Sequence, residues 1–180
     1  MTFEELPIVG AFRIAVDMIS DERGGFGRRF CADTFRGRGL VVDFVQRSVS
    51  FNRKAGTLRG FHFQAAPHLE TRLVRCTRGA IFDVIVDLRG GSPTYGRWHA
   101  EELTAANRTI LYVPRGVAHG FQAIEGDTEV DYEITPAYVP GFERGFRFDD
   151  PALSVPWPIR DIIMSDRDRA LPATHSGILL

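Results

Sequence analysis

The sequence predicts an all-β fold in which two antiparallel sheets pack as a sandwich or barrel. Within residues 80–88 the even positions are apolar from Phe82 onward, while Asp83 and Asp87 occupy odd positions. A period of two places alternate side chains on opposite faces of a strand. Further short strands are predicted at residues 41–51, 71–76, 109–113, 121–124 and 128–134.

Turn residues separate these segments, which supports the same fold class. They include Gly-Gly-Ser-Pro at 90–93, Pro-Arg-Gly at 114–116 and Gly-Asp at 126–127. Many short strands with such turns are typical of sandwiches and barrels. Helical candidates are short, at 104–107 and after Ser165, and we find no repeat or linker. We therefore expect one domain over residues 1–180, with a tail at about 173–180 that is loose or docks on a partner.

Composition excludes several classes of function. The formal net charge is −1, so no global field attracts nucleic acid or an anionic membrane. Cys31 and Cys76 are too few for a disulfide scaffold and lack metal-ligand spacing. The N-terminus carries no secretory signal and no apolar stretch is long enough for a membrane span, so we expect a cytoplasmic protein. Lys54 is the single lysine, which leaves phosphate binding to arginine.

Two of the five histidines lie in predicted strands and are the candidates for chemistry. His62 follows Gly56 in an alternating stretch, where strict alternation puts Arg59 on the opposite face. His119 begins a later strand. A histidine inside a small barrel needs a partner and can act as a base near neutral pH. For His68, His99 and His175 we expect surface or structural roles, because most lone histidines have them.

A Gly…His strand followed by Pro114-x-Gly116-x-x-His119 resembles the paired motifs of the cupin superfamily. Many cupins bind a transition metal through histidines and a glutamate, which here would be His62, His119 and Glu70. Gln64 stands where a metal cupin has a second histidine, and an amide is a poor ligand for such metals. We therefore expect no metal and no other cofactor.

Eight blocks along the chain resemble the dTDP-4-dehydrorhamnose 3,5-epimerase family, a metal-independent branch of the cupins. They follow the family's order from about residue 17 to about residue 172. The blocks are residues 21–24, 56–64, 73–79, 82–89, 92–96, 114–121, 149–151 and 165–168. The resemblance implies a cupin-type jelly-roll barrel of two packed antiparallel sheets. It also implies a nucleotide-linked 4-keto-6-deoxysugar as ligand and a homodimer.

The family's reaction removes a proton beside a 4-keto group and returns one to the opposite face of the sugar. Such a carbon acid needs a base, an acid and stabilisation of the enolate oxygen. By resemblance, His62 is the base, Asp168 orients it, and Tyr132 is the acid. From the residues alone, Tyr132 is better explained as a core tyrosine with a satisfied hydroxyl. Asp166 and Asp168 are both candidate partners for a strand histidine, but Asp166 is better explained as a charge that complements the dipole at a helix N-terminus.

The resemblance also assigns substrate-binding residues. Arg72 and His119 lie near the keto oxygen or the sugar, Arg59 grips the diphosphate, and the nucleotide and sugar contacts are Arg23, Phe26, Gln46 and Tyr138. Because alternation separates Arg59 from His62, we expect Arg59 to act around a bend or across a dimer interface. Without the family, Arg23 is a turn arginine and Phe26 a core aromatic.

Departures from the family pattern leave the specificity open. Arg72 replaces a usual lysine, Arg28 a glutamate and Ser48 an asparagine, and Phe148-Asp149 replaces Trp-Asn. The nucleotide base, the sugar configuration and the choice of carbon 3, carbon 5 or both are not fixed. Two alternatives remain, a metal-dependent cupin enzyme and a non-catalytic sugar-nucleotide-binding cupin.

Overall fold

The computed structural model describes all 180 residues. It contains short strands and two short helices, neither of which is long and apolar enough to cross a membrane. In chain order they are β1 (Thr2–Glu5), β2 (Phe12–Ala15), β3 (Met18–Asp21), β4 (Gly24–Gly27), α1 (Ala32–Arg36), β5 (Gln46–Asn52), β6 (Leu58–Gln64), β7 (Thr71–Arg78), β8 (Ala80–Asp87), β9 (Trp98–Thr104), β10 (Ile110–Val113), β11 (Val117–Ala123), β12 (Thr128–Thr135), β13 (Glu143–Gly145) and α2 (Asp166–Arg169).

Two large antiparallel sheets form the body of the molecule, which confirms the predicted all-β fold. One has the strand order β1-β2-β10-β7-β12-β5 and the other β13-β6-β11-β8-β9. Strands β3 and β4 form a separate two-stranded hairpin. Four strands near the centre of the sheets, β7 and β12 in one and β6 and β11 in the other, carry Arg59, His62, Arg72, His119 and Tyr132.

The alternation predicted for β8 sorts its side chains into two cores. Ile81 and Ile85 pack with Val130 of the other sheet, in the cluster between the two sheets. Val84 and Val86 face the opposite way, into a cluster on the outer side of the five-stranded sheet. Fully burying each such side chain contributes roughly 1.5–3 kcal/mol, so both faces of this sheet favour the observed register.

Two local predictions were wrong, and local hydrogen bonds or pairing explain both. Residues 104–107 form a turn rather than a helix, because Thr104 Oγ1 accepts from Asn107 N at 2.8 Å while Asn107 Oδ1 accepts from Thr104 N at 3.1 Å. Such side-chain bonds compete with helical ones. The predicted strand at 41–51 begins only at Gln46, where β12 runs beside it.

The C-terminal tail docks on its own chain, neither loose nor on a partner as expected. Leu180 N donates to Leu88 O at 2.9 Å, which attaches the end of the tail to the residue that follows β8. His175 is buried and its Nδ1 lies 2.5 Å from Asp150 Oδ2. This contact agrees with the structural role predicted for His175.

Candidate active site

A bulge in β6 brings Arg59 and His62 to the same cleft. His62 pairs with His119 and Arg59 with Phe121, so β6 has two intervening residues where β11 has one. The extra residue resets the alternation. Strict alternation therefore fails here, and the bulge is the bend by which Arg59 reaches the cleft without a subunit interface.

Glycine at position 60 makes this bulge possible. Gly60 has a φ of +112°, which residues with side chains rarely adopt. A Cβ at this position would lie 2.7 Å from Gly120 Cα and 2.8 Å from His119 O. The two strands thus approach too closely for any side chain, and the approach sets the spacing of His62 and His119.

Asp168 is the partner of His62. His62 Nε2 lies 2.8 Å from Asp168 Oδ1, and the side chains are 36% and 7% exposed. Ser165 caps α2 by accepting from Asp168 N at 3.1 Å, which fixes the carboxylate at the helix start. Burial is the largest single influence and raises the pKa of Asp168, but the hydrogen bond and charge of His62, the backbone N–H of Gly60 and the charge of Arg167 together lower it further, so the net pKa lies below its usual value. The other ring nitrogen of His62 has no partner in the chain and is available as a base.

A second histidine–aspartate pair lies opposite the first. His119 Nε2 lies 2.7 Å from Asp83 Oδ2, with both side chains buried. Asp83 Oδ1 is buried without a hydrogen-bond partner. His119 was predicted from the sequence, whereas Asp83 was not. The signal was present, since Asp83 is a charged residue on the face of β8 that also carries Ile81 and Ile85.

Tyr132 projects from β12 beside this second pair. Its ring centroid lies 5.8 Å from that of His119, and the ring packs against the core between the sheets. Burial raises the pKa of Tyr132 above its usual value, so the hydroxyl keeps its proton at neutral pH. A purely structural core tyrosine usually has a bonded hydroxyl. The Tyr132 hydroxyl forms no hydrogen bond with any other group of the chain, and Tyr132 lines the cleft.

Arg72 and Glu70 form an ion pair on the floor of the cleft. Arg72 Nε donates to Glu70 Oε1 at 2.7 Å, and Arg72 Nη2 donates to the same oxygen. Arg72 Nη1 donates to the backbone oxygen of His62 at 3.3 Å. The cation predicted to face the keto oxygen is therefore attached to the strand that carries the proposed base.

The cleft that these groups share has a volume of about 450 Å³. Its lining residues are Gln46, Ser48, Ser50, Arg59, His62, Glu70, Arg72, His119, Phe121, Tyr132, Ile134 and Tyr138. Gln46 Oε1 accepts from Tyr138 N at 2.9 Å, which ties the loop after β12 to β5. An adjoining chamber of about 310 Å³ reaches Asp168. The structure thus gathers all the predicted catalytic residues and most of the predicted binding residues.

Arg23 and Phe26 are the exceptions. Both lie on the β3–β4 hairpin, and neither lines the cleft. Phe26 is 74% exposed, so the alternative that it is a core aromatic was wrong. Arg23 bonds to Asp21 within the turn, as its alternative role predicts. A single copy of the chain does not bring either residue to His62.

The groups of the metal-cupin alternative do not fit a metal. The carboxylate of Glu70 is paired with Arg72, and Nε2 of His119 is occupied by Asp83. No group of three or more His, Cys, Asp or Glu side chains has a metal-binding arrangement. Gln64, at the position of a metal cupin's second histidine, is buried with its Oε1 unpaired.

The comparisons with known proteins all identify epimerases. The family model described as dTDP-4-dehydrorhamnose 3,5-epimerase matches residues 5–176. The chain is 41% identical to the dTDP-4-dehydrorhamnose 3,5-epimerase of Sinorhizobium fredii, covering 96% of this chain and 89% of that one. The crystal structure of the enzyme of that name from Bacillus anthracis with TDP and PPi bound is 38% identical, has a TM-score of 0.92, and the match covers 96% and 98%. A 3′-monoepimerase from Streptomyces bikiniensis in complex with dTDP-quinovose is 34% identical, with a TM-score of 0.85 and coverage of 93% and 85%.

Proposed function

The chain belongs to the dTDP-4-dehydrorhamnose 3,5-epimerase family, and we propose that it converts dTDP-4-keto-6-deoxyglucose to dTDP-4-keto-rhamnose by inverting carbons 3 and 5. The observation that carries the proposal is the cleft that His62, backed by Asp168, shares with the unpaired hydroxyl of Tyr132. A protein that only binds its ligand needs no base and acid around one cleft. Reversible proton transfer at carbon needs both.

In the proposed mechanism, His62 accepts the proton from the carbon beside the ketone. Asp168 holds the ring and stabilises the imidazolium that forms. The electron pair of the broken C–H bond moves to the keto oxygen, where Arg72 and His119 supply positive charge or hydrogen bonds. Tyr132 then donates its proton to the opposite face of the carbon, the ketone re-forms, and solvent restores both residues.

The diphosphate requires a cation at the mouth of the cleft, and Arg59 is our candidate. Its Nε donates to Asn52 Oδ1 at 2.9 Å, which aims the guanidinium along the cleft wall. Its remaining donors suit the oxygens of a diphosphate. Gln46 and Tyr138, which line the same cleft, complete the proposed sugar contacts.

We further propose that the active unit is a homodimer in which the β3–β4 hairpin of a second copy delivers Arg23 and Phe26. The support is the exposure of this hairpin, where Ile19 is 80% and Phe26 74% exposed. Strand β5 is an unpaired sheet edge that also exposes Val49 and Phe51, and such an edge is a natural place for a second chain to pack. The cytoplasmic location stays a prediction.

The test is conversion of dTDP-4-keto-6-deoxyglucose by the purified protein, followed by NMR identification of the product, with and without a chelator. The proposal predicts inversion at carbons 3 and 5 in both cases. Loss of activity together with a stoichiometric transition metal would establish the metal-cupin alternative instead. Binding of the nucleotide sugar without any conversion would establish the non-catalytic alternative.

A further inference from the structure

We propose that Glu70 is a positioning residue that sets the guanidinium of Arg72 against the strand of the base, and this inference rests on the proposed epimerase function. The two side chains are 8% and 10% exposed, so the pair lies largely out of water. Both N–H contacts from Arg72 converge on a single oxygen, Glu70 Oε1. The resemblance to the epimerase family assigns no role to Glu70.

The geometry gives the pair a task beyond charge neutralisation. A buried ion pair often adds little net stability, because desolvation offsets the attraction. Here the same guanidinium also donates from Nη1 to the backbone oxygen of His62. Glu70 on one side and the His62 carbonyl on the other hold the planar group at two edges. Arg72 therefore cannot move relative to the base without breaking one of these contacts.

The donor count shows what remains for the ligand. A guanidinium has five N–H donors, and these contacts occupy those on Nε, one on Nη2 and one on Nη1. One N–H on each terminal nitrogen is left for the cleft, which suits an oxygen that gains charge as the enolate forms. A lysine has a single nitrogen and cannot keep both anchors with the same geometry. Glu70 and the arginine at position 72 therefore act as a unit.

Two conservative variants separate position from charge. Glu70→Asp keeps the charge but draws the carboxylate back by one methylene, whereas Glu70→Gln keeps an acceptor oxygen in place without the charge. We expect Glu70→Asp to lower kcat about 10-fold or more with KM changed less than about 3-fold, because small misplacements are costly in transition-state contacts. Glu70→Gln should stay within about 3-fold of wild type, because the anchor survives.

The decisive experiment measures the effect of Glu70→Asp on kcat a second time, in a protein that also carries Arg72→Ala. If Glu70 acts through Arg72, its substitution there changes kcat by less than about 2-fold, since coupled residues are not additive. An equal loss in both backgrounds, or a Glu70→Gln as impaired as Glu70→Asp, would overturn the inference. Glu102→Gln on the exposed side of β9 is the control, and melting temperatures exclude unfolding. An inactive wild-type protein would instead refute the proposed function.

Discussion

Two histidine–aspartate pairs lie side by side, with His62 on β6 and His119 on the neighbouring strand β11. Their hydrogen-bond distances are almost equal. His62 lies 2.8 Å from Asp168 and His119 lies 2.7 Å from Asp83, each through Nε2. They differ in access to the cleft: the His62 side chain is 36% exposed and that of His119 is 4% exposed. They differ also in origin, because Asp168 comes from α2 and Asp83 from the adjacent strand β8.

The comparison indicates that the exposure of the histidine ring, and not its distance to the aspartate, distinguishes the proposed base His62 from the fixed His119. A base must take a proton from the ligand and pass it to solvent, which the accessible ring of His62 can do. The buried His119 and Asp83 lie within the sheet interior, where an unpaired charge is expensive. We therefore propose that the first pair transfers the proton, and that in the second pair Asp83 stabilises the fold and holds His119 beside the keto oxygen.

Asp168→Asn is expected to have the largest effect. An amide no longer stabilises the imidazolium and favours the wrong ring tautomer, so kcat should fall by about 10²–10⁴-fold. Steady-state kinetics measure the loss. The control is Asp166→Asn in the same helix, since the hydrogen bond with His62 is formed by Asp168 and not by Asp166. A kcat near that of wild type for Asp168→Asn would show that Asp168 does not support His62 in catalysis.

Tyr132→Phe is expected to separate proton removal from inversion. Without the hydroxyl, the enolate still forms at His62 and is reprotonated on its original face, so product formation should fall about 10²-fold while solvent exchange at carbon continues. Parallel NMR measurements of exchange and of product resolve the two rates. Equal loss of both would show that Tyr132 is not the acid on the opposite face.

Asp83→Asn tests the buried pair. It should lower the stability more, and the activity less, than Asp168→Asn does. Replacing one partner leaves His119 without its charged acceptor inside the sheet, which should cost about 1–3 kcal/mol in the free energy of unfolding. Denaturant unfolding measures this cost. For Asp168→Asn the same experiment should show a smaller change. If Asp83→Asn proved as stable as wild type but lost more activity than Asp168→Asn, the assignment of the two pairs would be inverted.

The smallest expected effect concerns acid stability. The folded-state pKa of Asp168 lies below its usual value, so its contribution is present above the unfolded pKa and is lost as pH falls through the folded one. Wild type should therefore lose unfolding free energy more steeply than Asp168→Asn as the pH falls below about 4. Unfolding curves at successive pH values give both slopes. Parallel slopes would show that the pair does not bias the titration of Asp168.

The sequence predicted the sheets because alternation and turns are local signals, as in β8 and β12. It could not place Arg59, since the bulge depends on the close approach of Gly60 to Gly120, which no alternation reveals. Asp168 was paired with His62 only through the family resemblance, because the two are separated by 106 positions. The pairing of Glu70 with Arg72 also escaped prediction, because Glu70 precedes strand β7 and the strand period does not extend to it.

The measurement that tests the central claim most directly is solvent deuterium exchange into dTDP-4-keto-6-deoxyglucose, followed by proton NMR. It compares wild type with His62→Ala and with His99→Ala, a histidine that pairs with Glu101 away from the cleft. We expect loss of the carbon 3 and carbon 5 proton signals with wild type and His99→Ala, and retention of both with His62→Ala. Undiminished exchange with His62→Ala would contradict the assignment of His62 as the base.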